Sequence, residues 1–395
     1  MTHSDTPRGW SITLLACAGF ASMASVRVCD GLLPKLIRQF GHPASETAYV
    51  ITAFAIGYGA MQLVFGPLGD RYGKYRVITI ATLTCAAWSL AAVFAPSLRW
   101  LITLRAVTGG TTAAIIPLGL AWIGDTVPYS HRQPVIARMV AGVILGVGGG
   151  QVLGGGLADT LGWRWAFGIL GGIYFVVGVL LQRELRGNAE SHARLSPATG
   201  SLAIVPRVRS VLEAPWARRV LATVFVEGML VFGPLALIPY YLHTRFDVSL
   251  TAAGATVALF AMGGFAYTTQ ARRLVPALGE TGLSLTGSGM AGLSLVALGL
   301  GSSWLWAIPA SFGLGLGYYM IHNTLQTNAT QMASEHRGTA VSVFAAAFFV
   351  GQSTGVTAAA GLLQRIGPAW LFPTAGAGLI LLGLGFTAGL RGQGR

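Results

Sequence analysis

The chain has 395 residues, of which 53% are hydrophobic and 10% are charged. Soluble domains carry about 25% charged residues, so a soluble protein of this composition would lack the polar side chains that cover a water-exposed surface. The formal net charge of +13 comes from basic residues scattered over many short segments, which argues against nucleic-acid binding. Three cysteines without a Cys-x-x-Cys pair argue against a disulfide framework. The composition instead predicts an all-α integral membrane protein.

Twelve apolar stretches follow one another, each long enough to cross a bilayer as a helix. They lie at about 10–40, 46–68, 76–96, 98–123, 134–158, 164–182, 220–242, 250–271, 282–302, 304–327, 338–363 and 369–390. The first begins like a secretory signal peptide, but its apolar character resumes after Asp30, which makes it too long for one. We therefore predict an N-terminal six-helix bundle over 1–182, a cytoplasmic linker over 183–219 and a C-terminal six-helix bundle over 220–395.

The distribution of Lys and Arg predicts the orientation, because the cytoplasmic loops of membrane proteins are enriched in both. With the N-terminus inside, eighteen of the 26 basic residues fall in inner loops and tails. Arg8 and Arg395 lie in the two inner tails. Five basic residues fall in outer loops and three lie within predicted helices. Both termini are therefore predicted to be cytoplasmic.

The two predicted bundles resemble each other in sequence. When the chain is shifted by 205 residues, residues of the same type coincide from the first predicted helix to the last. The matching pairs include Pro34 with Pro239, Gly59 with Gly264, Arg132 with Arg337, Gly146 with Gly351, Gly150 with Gly355 and Trp165 with Trp370. Parallel repeats of six helices, related by an axis along the membrane normal, are typical of transporters that open a central site to each side in turn.

The segment between the second and third predicted helices is Gly66-Pro-Leu-Gly-Asp-Arg-Tyr-Gly-Lys-Tyr-Arg76. This basic, glycine-punctuated loop resembles the signature loop of the major facilitator superfamily, Gly-x-Leu-Ala/Gly-Asp-Arg-x-Gly-Arg/Lys-x-Arg/Lys. The matching residues are Gly66, Leu68, Gly69, Asp70, Arg71, Gly73, Lys74 and Arg76. We expect Asp70 and Arg71 to form an inner latch, with Asp125 and Arg132 as partners across the loops. The alternative is an ordinary basic cytoplasmic loop.

Three further motifs resemble those of the superfamily. Leu101, Arg105, Gly109 and Ala113 match a fourth-helix pattern whose arginine is associated in the family with proton coupling. Gly146, Gly150, Gly154 and Gly155 match a fifth-helix pattern of proton-driven exporters, with Gln151 where proline is usual. No strand precedes these glycines, so we interpret them as close helix packing rather than a nucleotide loop. The string from Arg27 to Pro34 is similar to the first helix of the twelve-helix bacterial drug:proton antiporters.

Ionisable residues inside a membrane helix are costly and are therefore functional candidates. Arg27, Asp30, Arg105 and Glu227 are the candidates for proton coupling or for lining a central cavity. Arg27 and Asp30 lie three residues apart and share a helix face, so they can pair. The alternatives are a structural ion pair for Arg27 and Asp30, and for Glu227 a carboxylate that simply contacts water near the inner mouth.

Eight polar or aromatic residues inside the predicted helices are further candidates for lining the cavity. They are Tyr58, Gln62, Tyr240, Tyr241, His322, Asn323, Gln326 and Gln352. Each can instead make an ordinary contact between helices. His322 has no second His, Cys or carboxylate close to it in sequence, so we predict neither a metal site nor a cofactor.

The resemblance implies a secondary transporter in the inner membrane of a bacterium, with a small-molecule substrate and protons as its partners. We favour proton-coupled export of a small organic solute or drug, by a monomer embedded in the lipid bilayer. An uptake symporter or facilitator on the same fold is the alternative, and Gln151 in place of proline favours it. A membrane-embedded enzyme or receptor is a more distant alternative, because the sequence contains no nucleophile elbow and no nucleotide loop.

Overall fold

The computed structural model describes residues 9–187, 204–333 and 337–392, and every regular element in these ranges is helical. Arg8, Arg395 and the central part of the predicted linker, 188–203, lie outside the described residues. The first half of the chain forms α1 (Gly9–Phe40), α2 (Ala44–Thr47), α3 (Tyr49–Tyr72), α4 (Lys74–Val93), α5 (Leu98–Thr112), α6 (Ile115–Thr126), α7 (Tyr129–Asp159) and α8 (Trp163–Gly187). The second half forms α9 (Ile204–Glu213), α10 (Pro215–Phe246), α11 (Leu250–Leu300), a 3-10 helix (Trp304–Trp306), α12 (Ala307–Gln331), α13 (Arg337–Ile366) and α14 (Pro368–Arg391).

Ten helical segments in the described part of the chain are long and apolar enough to cross a membrane, where α2 with α3 and α5 with α6 each count as one segment. One of them, α11, has 51 residues and would be about 76 Å long if it were straight. It instead bends at Gly279, whose φ of 61° lies in the region that favours glycine, so its two limbs cross the membrane separately. The remaining pass is α12, which is more polar because it carries His322, Asn323, Gln326 and Asn328. The predicted set of twelve transmembrane passes is confirmed.

The twelve transmembrane segments form two bundles, and the second bundle repeats the first at the predicted offset of 205 residues. A shift of 205 residues places α1 on α10, α7 on α13 and α8 on α14 to within a few residues. The start of α1, the end of α14 and the turn at Gly73 lie at one end of the molecule, here called the near end, while the turns at Gly41, Gly162 and Gly367 lie at the far end. The predicted pair of pseudo-symmetric six-helix bundles is therefore confirmed.

The helices of each bundle approach closely where glycines face a neighbouring backbone. Gly146, Gly150 and Gly154 of α7 lie against main-chain carbonyl oxygens of α1, and a Cβ atom at any of them would overlap the oxygen. Gly351 and Gly355 of α13 pack in the same way on α10. Small residues repeated every four positions allow such backbone contact, which supplies much of the packing energy between membrane helices.

The predicted eleven-residue loop at Gly66–Arg76 is wrong. Helix α3 continues through Gly66, Gly69, Asp70 and Arg71 to Tyr72, and α4 begins at Lys74. Only Gly73 breaks the helix, with φ 90° and ψ 122°. The charged side chains at this end are largely exposed, so the helices can continue beyond the apolar run without placing those charges in hydrocarbon. The described flanks of the predicted linker are likewise helical, in α8 and α9.

The two bundles contact each other closely toward the far end, at a surface that we call the far-end interface. Gly155 of α7 lies directly against the carbonyl oxygen of Leu250 at the start of α11. Beside it, Asp159 Oδ2 accepts hydrogen bonds from the Thr251 amide at 2.7 Å and the Thr251 hydroxyl at 2.9 Å. A carboxylate at the N-terminus of a helix is stabilised by the helix dipole. Asp159 therefore fastens α7 to α11 across the interface.

Two further pairs complete the far-end interface. Thr52 of α3 and Thr357 of α13 lie 3.0 Å apart through their hydroxyl groups. Arg38 Nη2 and His243 Nε2 lie 3.3 Å apart, and these residues are separated by 205 positions. Equivalent positions of the two repeats thus meet where α1 and α10 end. The molecule is closed at the far end.

Replacing Asp159 by alanine is expected to loosen the far-end interface. Loss of two hydrogen bonds and of a favourable charge at the start of α11 should weaken the closed state by about 1–2 kcal/mol, a shift of roughly 5–30-fold toward opening. Spin labels at the exposed positions Gln39 and Thr244 would report longer distances. Asp247→Asn, an exposed change on the same end, is the control. A wild-type distance distribution in Asp159→Ala would contradict this role.

Candidate functional site

A buried ion pair lies in the middle of the N-terminal bundle. Arg27 Nη1 lies 3.4 Å from Asp30 Oδ2, one turn along α1. Gln151 of α7 donates a hydrogen bond from Nε2 to the same carboxylate oxygen at 2.8 Å. Asp30 is 0% exposed and Gln151 is 1% exposed. The three side chains form a polar cluster that is shielded from water on all sides.

A second buried carboxylate lies in the C-terminal bundle. Glu227 of α10 is 0% exposed, and its Oε2 lies 2.8 Å from Nδ1 of His322 on α12. The His322 side chain is 17% exposed, so the imidazole is partly accessible while its carboxylate partner is not. Its ring stacks on Tyr318 with centroids 4.9 Å apart. Both partners were candidates from sequence, and the structure brings them into contact.

Aromatic rings connect the surroundings of Asp30 with those of Glu227. The ring of Phe232 meets Tyr318 and Phe348 edge-on, with centroids 5.1 and 5.3 Å apart. The guanidinium carbon of Arg27 lies 4.4 Å from the centroid of the same ring. A cation over an aromatic face is attracted by the ring quadrupole. Arg27 therefore contacts Asp30 in its own bundle and Phe232 in the other.

A second ring contact joins the bundles on the α3 side. Tyr58 of α3 stacks on Phe349 of α13 with centroids 4.0 Å apart. Gln62 lies one turn further along α3 and is buried. Gln352 of α13 is also buried, and neither polar atom of its side chain has a hydrogen-bond partner. These predicted cavity residues lie at or beside the contact between α3 and α13.

Polar side chains continue along α12 after His322. Asn323 and Gln326 are both exposed, and Gln326 lies one turn after His322 on the same side of the helix. Asn323 Nδ2 donates to the Tyr267 hydroxyl of α11 at 3.1 Å. Helix α12 thus carries polar groups next to the aromatic rings of Tyr318 and His322.

Two predicted lining residues lie elsewhere. The Tyr241 hydroxyl donates to the Leu298 carbonyl oxygen at 3.3 Å, inside the C-terminal bundle near its far end. Tyr240 packs on the apolar residues at the far end of the bundle contact. Neither side chain is part of the group around His322 and Phe232.

Arg105 joins three helices of the N-terminal bundle. From α5 it donates to the Val50 carbonyl oxygen at 3.1 Å, the Ser25 hydroxyl at 3.3 Å and the Ser25 carbonyl oxygen at 2.8 Å. The guanidinium carbon also lies 4.1 Å from the ring centroid of Phe54. The side chain is 2% exposed, so its charge is held among backbone acceptors of α1 and α3.

At the near end, Lys74 rather than Arg71 lies between the two carboxylates Asp70 and Asp125. Its ammonium lies 2.9 Å from Asp70 and 2.8 Å from Asp125. Arg71 is exposed, and Arg132 donates at 2.7 Å to a backbone carbonyl within five residues of itself. Lys74 thus ties the start of α4 to the end of α6.

The described ranges contain no group of three His, Cys, Asp or Glu side chains placed to hold a metal ion. Charged and aromatic side chains lie together where the two bundles meet.

The Major Facilitator Superfamily matches residues 15–356. The chain belongs to this superfamily of membrane transporters. An uncharacterised transporter of the same type, YwfA of Bacillus subtilis, is 25% identical over 326 residues. The match covers 81% of this chain and 77% of the YwfA chain. The protein is thus a multi-pass transporter rather than an enzyme.

Fungal efflux pumps match over shorter stretches. FUB11 of Gibberella moniliformis is 29% identical over 162 residues, 41% of this chain and 27% of its own. RadE of Floropilus chiversii is 26% identical over 227 residues, 55% of this chain and 41% of its own. The chain therefore spans less than half the length of these pumps.

Two solved structures share the fold of nearly the whole chain. The POT family transporter PepTSo has a TM-score of 0.77 at 17% identity, covering 97% of this chain and 98% of its own. A bacterial homologue of the human lysosomal transporter Spinster, in an inward-facing and occupied conformation, has a TM-score of 0.70 at 17% identity. It covers 96% of this chain and 93% of its own. Both likenesses concern the fold alone.

Sequence reasoning missed the aromatic part of the centre. Tyr318 and Phe348 were not named, although Tyr318 lies one turn before His322 on the same helix face. Phe232 lies five residues after Glu227, and that spacing does not predict contact with Arg27 of the other bundle. The interaction of Gln151 with Asp30 was also missed, because the residue was noted only as a departure from a motif.

Proposed function

We propose that the protein exports a small organic solute or drug in exchange for protons, by alternating access of the centre to the two sides of the membrane. The observation that carries the proposal is the pair of buried carboxylates. Asp30 and Glu227 lie one in each bundle, fully buried, with one oxygen hydrogen-bonded and the other without a partner. Removing a carboxylate from water favours its protonated form, so such groups exchange protons readily with an opening cavity.

Protonation would act on the contacts between the bundles. A neutral Asp30 attracts Arg27 less strongly, and Arg27 already lies over Phe232 of the C-terminal bundle. A neutral Glu227 loosens its pairing with His322, whose ring stacks on Tyr318. A substrate that binds more tightly when the carboxylates are ionised promotes proton release, so substrate binding and proton binding are linked.

The substrate class follows from the same groups. Phe232, Tyr318 and Phe348 offer ring faces and edges, while His322, Asn323 and Gln326 of α12 offer hydrogen bonds. A small organic molecule with an apolar or aromatic body and one or two polar groups fits this lining. The partial matches to fungal efflux pumps support export.

We further propose that the near end faces the cytoplasm of a bacterium, with the protein in the inner membrane as a monomer. The excess of Lys and Arg at this end supports the orientation. Residues 183–219 would then form a cytoplasmic linker between bundles at 1–182 and 220–395.

Uptake of a metabolite on the same fold is the second candidate. Gln151 stands where exporters of this type have proline, and linkage between proton and substrate binding is the same in either direction. The direction of substrate movement under an imposed pH gradient separates the two candidates.

Asp30→Asn and Glu227→Gln are expected to abolish proton-coupled transport and leave the protein folded. Each replacement keeps the side-chain shape but removes the proton-binding oxygen. In liposomes, pH-driven transport of a fluorescent organic cation should fall to the level of empty vesicles. Exchange of the same compound between equal concentrations inside and outside the liposomes requires no net proton movement and should persist. Undiminished pH-driven transport in both variants would refute the coupling assignment.

A further inference from the structure

One pair of buried acceptor atoms lies beside the hydrogen bond between Gln151 and Asp30. Gln151 Nε2 donates to Asp30 Oδ2 at 2.8 Å. The other atoms of the same two groups, Asp30 Oδ1 and Gln151 Oε1, are buried and have no hydrogen-bond partner. Buried polar atoms are almost always paired, because an unpaired one costs roughly 1–3 kcal/mol. Two unpaired acceptors on adjoining groups therefore require an explanation.

A single proton accounts for both atoms. A carboxylic acid and a primary amide pair through two hydrogen bonds, with N–H donating to the acid carbonyl and O–H donating to the amide carbonyl. The first of these bonds is present between Gln151 and Asp30. A proton on Asp30 Oδ1 supplies the second bond, with Gln151 Oε1 as the acceptor. We propose that Asp30 and Gln151 bind one transported proton as a carboxylic acid–amide pair.

The proposal rests on the proposed proton coupling and specifies where that proton is held. Binding forms the Oδ1–H bond and the hydrogen bond to Oε1. Release breaks both, leaves the bonding electron pair on Oδ1 as the carboxylate charge and returns the proton to water, with no change of oxidation state. In the ionised state the two unpaired oxygens repel each other, and the charge of the carboxylate is balanced by Arg27, whose Nη1 lies 3.4 Å from Oδ2. Protonation of Oδ1 removes that charge and so weakens the attraction between Asp30 and Arg27.

The surroundings contain few competing groups. The charged side chains acting on Asp30 are Arg27 of its own helix and Arg105 of α5, and the neighbouring titratable group is the buried thiol of Cys29. Arg105 is bound to backbone carbonyl oxygens of Val50 and Ser25. Among these groups, Arg27 contacts the carboxylate directly.

The pair lies between two contacts that join the bundles. On one side, Arg27 reaches Phe232 of the C-terminal bundle. On the other, the main-chain carbonyl of Gln151 lies against Gly254 of α11, where a Cβ atom would overlap it. A change in the acid–amide pair therefore acts on α1 and α7 where both helices touch the opposite bundle. Proline at position 151 could not form the pair, because it has no side-chain amide.

The test uses the purified full-length protein and the proton itself as the probe. Infrared spectra recorded over a pH series follow the carbonyl stretch of a protonated carboxylic acid. A band that titrates in wild type and is absent from Asp30→Asn reports the Asp30 proton. In Gln151→Leu this band should move to the frequency of an acid without a hydrogen-bonded partner. Gln352→Leu, the same change at a buried glutamine of the other bundle, should leave it in place.

Gln151→Glu provides a second variant of nearly unchanged shape. Two adjoining carboxylates share one proton tightly, because both cannot ionise side by side. The titration midpoint of the pair should therefore move to higher pH by about one unit or more. Thermal unfolding and gel filtration establish that each variant is folded.

The outcomes separate the two proposals. If the band keeps its wild-type position in Gln151→Leu and its wild-type titration midpoint in Gln151→Glu, the proposed acid–amide pair is overturned, even if transport is proton-coupled. Absence of any titrating band sensitive to Asp30→Asn would overturn it as well. A Gln151-dependent band in a protein that moves its substrate without protons would instead support the pair and refute the proposed function.

Discussion

Replacing Gly155 by valine should hold the far end open and stop transport. A Cβ atom at this position would overlap the carbonyl oxygen of Leu250 on the opposite bundle. The obstacle is backbone rather than a flexible side chain, so the overlap can be relieved only by separating α7 from α11. We expect a cost of about 3 kcal/mol to the closed state, roughly a hundredfold shift in the ratio of closed to open molecules.

Gly156→Val is the matched control. It lies on the same helix one residue later, and a Cβ atom there would have no other heavy atom within 4 Å. Spin labels at Gln39 and Thr244, with the exposed Cys17 replaced by serine, would report the separation of the bundles at the far end. Longer distances in Gly155→Val, with unchanged distances in Gly156→Val, are expected. Equal behaviour of the two variants would show that the contact with Leu250 does not control closure.

Arg105→Lys is expected to destabilise the N-terminal bundle strongly although it keeps the charge. The guanidinium makes three hydrogen bonds in different directions, to Val50 and to both oxygens of Ser25, which a single ammonium cannot reproduce. Leaving buried carbonyl oxygens unpaired should cost about 2–4 kcal/mol. The apparent melting temperature in detergent should fall by roughly 5–10 °C.

Arg99→Lys, at an exposed position of the same helix, should change stability by less than about 0.5 kcal/mol. The superfamily resemblance associates the fourth-helix arginine with proton coupling, whereas its contacts indicate a scaffold for α1, α3 and α5. If Arg105→Lys is as stable as wild type but its transport is no longer coupled to protons, a role in proton coupling is favoured over a scaffolding role.

The fold was predictable because hydrocarbon imposes strong constraints on sequence. Apolar stretches of sufficient length must be helical to satisfy their backbone hydrogen bonds in lipid, and the offset of 205 residues relates the two halves without a gap. The ends of the helices were less predictable. Helix α3 extends to Tyr72 because the polar residues after Phe65 can continue a helix into water as well as form a loop.

The candidate site was predictable in its charges but not in its pairings. A buried Asp30 or Glu227 is conspicuous in an apolar sequence, and the spacing of Arg27 and Asp30 on one helix indicated their contact. The partners His322 and Gln151 lie 95 and 121 residues away from their carboxylates. No local pattern specifies such contacts, because they depend on how whole helices pack. The predicted lining residues Tyr240 and Tyr241 lie toward the far end, since a helix face alone does not fix depth in the membrane.

Proton movement in everted membrane vesicles tests the proposed antiport most directly. The vesicles are energised, loaded with a pH-sensitive dye and exposed to lipophilic cations, sugars, amino acids and organic acids in turn. We expect at least one compound to release protons from vesicles with the wild-type protein but not from vesicles with Asp30→Asn or with Glu227→Gln. If compounds exchange across the membrane while none moves protons, the protein is a facilitator and the proposed coupling is refuted.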